Sequence, residues 1–128
     1  MTSVVPRSVL IVDPDLNGNK LAALVLKQDG WVVITATSAS EAHTALATFM
    51  PSLVVTELRL PDSDGISLVA SLRRAPSTSH LPVVAMTASS GPEVELHTRA
   101  AGCVDYIRKP INVMTFSDQL GHALVAQP

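Results

Sequence analysis

Four short stretches carry the residues able to do chemistry: Asp13-Pro14-Asp15, Thr56-Glu57, Thr87-Ala88 and Arg108-Lys109-Pro110. Each directly follows an apolar run. A fold that aligns those runs gathers carboxylates, a hydroxyl and an ammonium at one edge. Asp13 and Glu57 raise the chemistry of paired-carboxylate hydrolysis, but nothing in the sequence implies a sugar cleft between them. No glycine-rich loop cradles a phosphate, because Asp64-Gly65 and Asn17-Gly18-Asn19 do not fit the required pattern. His43, His80, His97 and His122 fall on separate segments without metal-ligand spacing and read as surface residues. The single cysteine, Cys103, sits beside Gly102 and reads as a small packing residue.

The elements that must position these clusters follow from the apolar pattern. Val9 to Val12, Trp31 to Ile34, Leu53 to Val55, Pro82 to Met86 and Cys103 to Ile107 are short runs rich in β-branched residues. They do not alternate with polar residues, which is how strands buried on both faces read. Helix-length segments lie between them. Leu16 to Gln28 offers Leu21, Leu24 and Val25 as its apolar face, with Asp15 as N-cap and a stop at Gly30. Ser38-Ala39-Ser40-Glu41 is a capping box opening a helix to about Met50. Asp64 to Arg74 sets Ile66, Val69 and Leu72 at helical spacing, and Pro92 to Ala101 begins with a proline and two glutamates. Asn112 to about Ala126 carries Val113, Phe116, Leu120 and Leu124 on one stripe. The polar stretch from Arg73 to His80 reads as a solvated connector. Five strands alternating with five helices predict an α/β fold: a five-stranded parallel sheet with helices on both faces. In such sheets the site lies at the carboxyl ends of the strands, where the four clusters fall.

Composition bounds the function. A length of 128 residues predicts a single domain, 1–128, with its core at about 8–125. At 47% apolar and 16% charged residues the chain can fill a core, which excludes disorder. Its longest apolar run, Leu21 to Leu26, falls far short of the roughly twenty residues of a membrane span, and no secretory signal is present. One cysteine suits a reducing cytoplasm. A net charge of −2 and four aromatics (Trp31, Phe49, Tyr106 and Phe116) argue against nucleic acid as a partner.

The joint order of the clusters resembles the receiver domain of two-component response regulators, a flavodoxin-like (βα)5 fold. Acidic residues after the first strand, a carboxylate after the third, Leu60-Pro61-Asp62-Ser63-Asp64-Gly65, Thr87-Ala88 and Lys109-Pro110 all fall at the family's spacing, over about Ser8 to Leu124. The resemblance implies that the carboxylate after the third strand is an aspartate accepting a phosphoryl group from a histidine kinase, beside Mg²⁺ held by an acidic pair. It assigns Asp13 to the first acid, Thr87 to the switch hydroxyl, Tyr106 to the switch aromatic and Lys109 to the phosphate-contacting lysine. It also implies a cis Lys109-Pro110 bond.

Two positions depart from the pattern. The second acid is Pro14, which has no side-chain oxygen, and the acceptor position is Glu57. Asp15 is the one substitute acid nearby, but it falls where the helix begins. Mg²⁺ needs near-octahedral oxygens, with only Asp13 and Glu57 left to supply them. A misplacement of about 1 Å at a reacting carboxylate costs roughly a hundredfold in rate. The expectation is therefore an atypical receiver, not an enzyme, without a metal or other cofactor, in which Glu57 pairs with Lys109, with Thr87 as a further partner. It would act through protein contact with a histidine kinase, another signalling protein or a second copy, across the fourth helix, fifth strand and fifth helix (about Pro92 to Gln127). No output domain follows in this sequence, which suits a stand-alone protein or a piece of a larger regulator. The alternatives are a working phosphotransfer regulator with Asp15 in the metal site, and a small-cofactor-binding flavodoxin-like protein.

Overall fold

The computed structural model describes residues 6–89 and 91–125. Five strands, β1 (Ser8–Val12), β2 (Val32–Ala36), β3 (Leu53–Glu57), β4 (Val83–Thr87) and β5 (Asp105–Arg108), pair in parallel in the order β2-β1-β3-β4-β5. Five helices connect or follow them: α1 (Leu16–Gln28), α2 (Ala39–Thr48), α3 (Gly65–Arg74), α4 (Pro92–Ala101) and α5 (Phe116–Val125). The order reverses between β1 and β3, which opens a crevice at their carboxyl ends.

Every residue of β3 and β4 is buried, as is β1 from Val9 to Val12, because both sheet faces are covered. On one face Val9, Ile11, Val55 and Met86 pack against Ala22, Ala23 and Leu26 of α1 and Phe116, Leu120 and Ala123 of α5. On the other, Leu10, Val12, Val54 and Ala85 pack against Ala39 and Ala42 of α2 and Leu68, Val69 and Leu72 of α3, with Cys103 at the edge. The edge strand β2 is only partly covered.

Several local expectations are corrected. The buried face of α1 is Asn19, Ala22, Ala23 and Leu26, while Leu21 and Leu24 are 44% and 55% exposed. Alanines let the helix lie close to the sheet, and the leucines are left outside. Asp15 occupies the N-cap position of α1 but makes no capping bond. Ser38 does cap α2, accepting from Glu41 N–H at 3.0 Å, while Glu41 Oε1 reaches back one residue further, to Thr37 N–H at 2.8 Å. α5 starts four residues later than its pattern: Asn112 Oδ1 accepts from Met114 N–H at 2.9 Å, a turn occupies the interval, and Val113 is 48% exposed. The expected end at Ala126, and Gln127, lie outside the described residues. β5 begins at Asp105 rather than Cys103, whose N–H instead closes α4 onto Thr98 O at 3.1 Å. Arg73 is no solvated connector residue. Its guanidinium donates to Leu81 O at 2.6 Å and Gly102 O at 2.8 Å, tying α3 to the start of β4 and the end of α4.

Candidate functional site

The carboxyl ends of β1, β3 and β5 bring three charged side chains into contact. Asp13 follows β1 and is 1% exposed, Glu57 ends β3 at 7%, and Lys109 follows β5. Lys109 Nζ lies 2.7 Å from Asp13 Oδ2 and 2.8 Å from Glu57 Oε2. One ammonium thus bridges two buried carboxylates, an arrangement in which attraction and hydrogen bonding must offset the loss of hydration. Burial pulls the Lys109 ammonium down, and the two carboxylates outweigh it, holding the group above the ordinary lysine value of 10.5.

The backbone fixes this geometry. Asp13 N–H donates to Ala36 O at 2.9 Å, and Asp13 Oδ1 accepts from Asp15 N–H at 2.9 Å, so one Asp13 oxygen closes the loop while the other faces Lys109. Lys109 N–H donates to Thr87 O at 2.8 Å, holding the end of β5 against β4, and the Lys109-Pro110 bond is cis. Glu57 Oε1 accepts weakly from Arg59 N–H at 3.4 Å. Gly65, at the head of α3, is required by close approach: a Cβ there would lie 2.6 Å from Glu57 O. Gly18 leaves room for the acids, since its Cβ would meet Asp15 Oδ2 at 3.1 Å and Asp13 Oδ2 at 3.5 Å.

The remaining expected site residues are arranged separately. Thr87 is buried, and its hydroxyl accepts from Ser89 N–H at 3.1 Å rather than bonding Glu57. Tyr106 is half-buried, and its hydroxyl donates to Ser89 O. Thr87 and Tyr106 therefore converge on one residue of the β4–α4 loop, apart from the charged triad. Asp15 is exposed and lines a cleft of about 320 Å³ with Asp13, Lys109, Leu21, Met86 and Pro110.

The donors fit Mg²⁺ poorly. Pro14 contributes no oxygen, and the Asp13 and Glu57 oxygens facing the crevice are both taken by an ammonium. No group of three or more His, Cys, Asp or Glu among the described residues is arranged to hold a metal ion. The octahedral oxygen set that Mg²⁺ demands would require Lys109 to leave first.

Sequence reasoning missed two working residues. Asn19 donates from Nδ2 to Asp13 O at 2.9 Å and Ala36 O at 3.0 Å, locking the loop that carries Asp13. Its polar type on the inner face of α1 was the available signal. Asp62 accepts from Ala39 N–H and Ser40 N–H, both at 2.9 Å, and so caps α2 across the crevice. Nothing local announces that bond, since it spans 23 residues.

Comparisons with known proteins agree with this architecture. Residues 9–120 match the family described as the response regulator receiver domain. The chain is 30% identical over 115 residues to the polar-differentiation response regulator DivK of Brucella anthropi, covering 90% of this chain and 94% of that protein. It is 28% identical over 109 residues to the phosphate regulon transcriptional regulatory protein PhoB of Pseudomonas aeruginosa, covering 85% of this chain but only 48% of that protein. The crystal structure of a putative response regulator from Chloroflexus aurantiacus superposes with a TM-score of 0.89 at 29% identity, covering 94% of this chain and 99% of that one. No helix among the described residues is long and apolar enough to cross a membrane.

Proposed function

The chain belongs to the response regulator receiver domain family, a signalling module of two-component systems, and from that premise we propose that it signals by protein contact without aspartyl phosphorylation. The observation that carries this reading is the Lys109 bridge to Asp13 and Glu57 at 2.7 and 2.8 Å. The lysine that the resemblance assigns to phosphoryl oxygens is already neutralised by the side chain at the acceptor position. Glu57 carries its oxygens one methylene further than an aspartate, out of line for an incoming phosphorus and into reach of the ammonium. Pro14 removes one metal ligand, and Lys109 shields the other, so Mg²⁺ takes no part.

The contact surface in this reading is α4, β5 and α5. Leu96 is 68% exposed there among Glu93, Glu95 and His97, with Arg99 held by Glu95 at 3.2 Å and Asp105 at 3.7 Å. The Tyr106–Ser89 bond ties β5 to the loop before α4, which supports a face shaped without a phosphoryl group. A histidine kinase, another signalling protein or a second copy is the partner class. The competing reading, a working phosphotransfer regulator, draws on Asp15, whose carboxylate lines the same cleft as Asp13.

Incubation with Mg²⁺ and acetyl phosphate, read by intact mass and by backbone amide shifts, separates the two. The expected result is unchanged mass and still amides at Asp13, Glu57 and Thr87, with phosphate uptake gained in the Pro14→Asp/Glu57→Asp variant. Addition of one phosphoryl group to the parent chain would overturn the proposal.

A further inference from the structure

Away from the charged triad, the outer flank of α1 and the free edge of β2 enclose a groove of about 480 Å³. Its apolar wall is Leu16, Ala23 and Leu24, with Leu16 60% and Leu24 55% exposed. Lys20 and Lys27 flank that wall, two turns apart on one helical stripe, and Thr35 lies opposite. Among the described residues neither lysine has a carboxylate at ion-pair distance, although the chain as a whole is net acidic. Asn19 lines the same groove, is 4% exposed, and keeps Oδ1 without a hydrogen-bond partner.

The strand edge beside the groove is open. In a parallel pair the N–H and C=O of one residue point to the same side. Val32 N–H donates to Arg7 O and Ala36 O accepts from Asp13 N–H, so the even-numbered residues of β2 face β1. Val33 and Thr35 therefore turn their N–H and C=O outward, where no strand among the described residues pairs with them. Odd-numbered β2 side chains lie on the α1 face, since Val33 packs with the α1 cluster. A strand laid along this edge would send alternate side chains into the groove. From Leu16 to Lys27 the helix rises about 16 Å, the span of about five extended residues.

We propose that this groove and edge form a docking site for an extended peptide segment, added to the sheet as a sixth strand beside β2, whose groove-facing residues (every second one) are by turns apolar and acidic. Backbone bonds to Val33 and Thr35 supply the register, Leu16 and Leu24 cover the apolar side chains, and Lys20 and Lys27 select the acidic ones. A second copy paired edge to edge is disfavoured by charge, because it would crowd two Lys20–Lys27 stripes together. The site does not depend on the reading of Glu57.

The probe is an acetylated, amidated octapeptide with valine and glutamate by turns at every second position and serine between them, titrated into the full chain, with its valine–lysine counterpart as control. The expected result is amide shifts and slowed hydrogen exchange at Val33 and Thr35, salt-sensitive and specific to the glutamate peptide. Lys20→Glu/Lys27→Glu should weaken the glutamate peptide by about three- to tenfold and admit the lysine peptide. Equal binding of both peptides, shifts confined to other elements, or no binding at all would overturn the proposal. The lysines would then serve only to guard an open edge against aggregation.

Discussion

Replacing Lys109 with methionine tests the charged triad most directly. Methionine keeps an apolar stem of similar length and removes the ammonium that lies 2.7 Å from Asp13 Oδ2 and 2.8 Å from Glu57 Oε2. The stranded carboxylates are almost waterless, with side chains 1% and 9% exposed, so neither regains its hydration. Removing one member of a buried ion pair costs about 3–5 kcal/mol. Lys109 itself is 20% exposed and already shares its charge with water, which lowers the figure to about 2–4 kcal/mol. With a urea slope of about 2 kcal/mol/M, the unfolding midpoint falls by about 1–2 M. Two controls make the cause legible. Glu57→Gln in the Lys109→Met background removes one of the two stranded charges and should recover about 1–2 kcal/mol, whereas Glu57→Gln alone should destabilise. Urea unfolding followed by circular dichroism reads all of these. A Lys109→Met stability within about 0.5 kcal/mol of the parent would refute the reasoning, because the bridge would then contribute nothing beyond its own desolvation.

Other expectations follow from the same geometry. Because the folded Lys109 ammonium is held above 10.5, its contribution is fully present below that pH and lost as pH rises through the folded value. Thermal melts should therefore show an alkaline loss that Lys109→Met lacks. Gly65→Ala places a Cβ 2.6 Å from Glu57 O and should destabilise by about 1–3 kcal/mol, whereas Gly30→Ala, which meets no atom within 4 Å, should lose only what its positive φ of 89° imposes. Arg73→Ala strips charged hydrogen bonds from Leu81 O and Gly102 O and should lower stability by about 1.5–3 kcal/mol in urea. Burial pushes the Cys103 thiol up to about 11, so alkylation by iodoacetamide at neutral pH should be slow in the native protein and fast in urea.

The amino-acid sequence by itself carried the element order, the parallel sheet and the identity of the side chains at its carboxyl edge. Unbroken apolar runs such as Val9 to Val12 can be satisfied only by strands buried on both faces, and the residues after each run then share one edge whatever the detailed packing. The pairing of Glu57 with Lys109 was also legible, since opposite charges delivered to one buried edge must find each other. Which face of α1 turns inward was not. Counting apolar residues favours Leu21 and Leu24, but the distance between helix and sheet decides, and small Ala22 and Ala23 permit the closer approach. The division of labour among Asp13, Thr87 and Tyr106 was equally hidden, because it depends on where the β4–α4 loop lies. Tertiary structure alone set Ser89 between Thr87 and Tyr106, Asn19 beneath Asp13, and Arg73 across two carbonyls. The longest of those contacts span 17 residues, from Tyr106 to Ser89, and 29, from Arg73 to Gly102. Local propensity has no means of recording them, because their free energy exists only once the sheet and helices have been brought together.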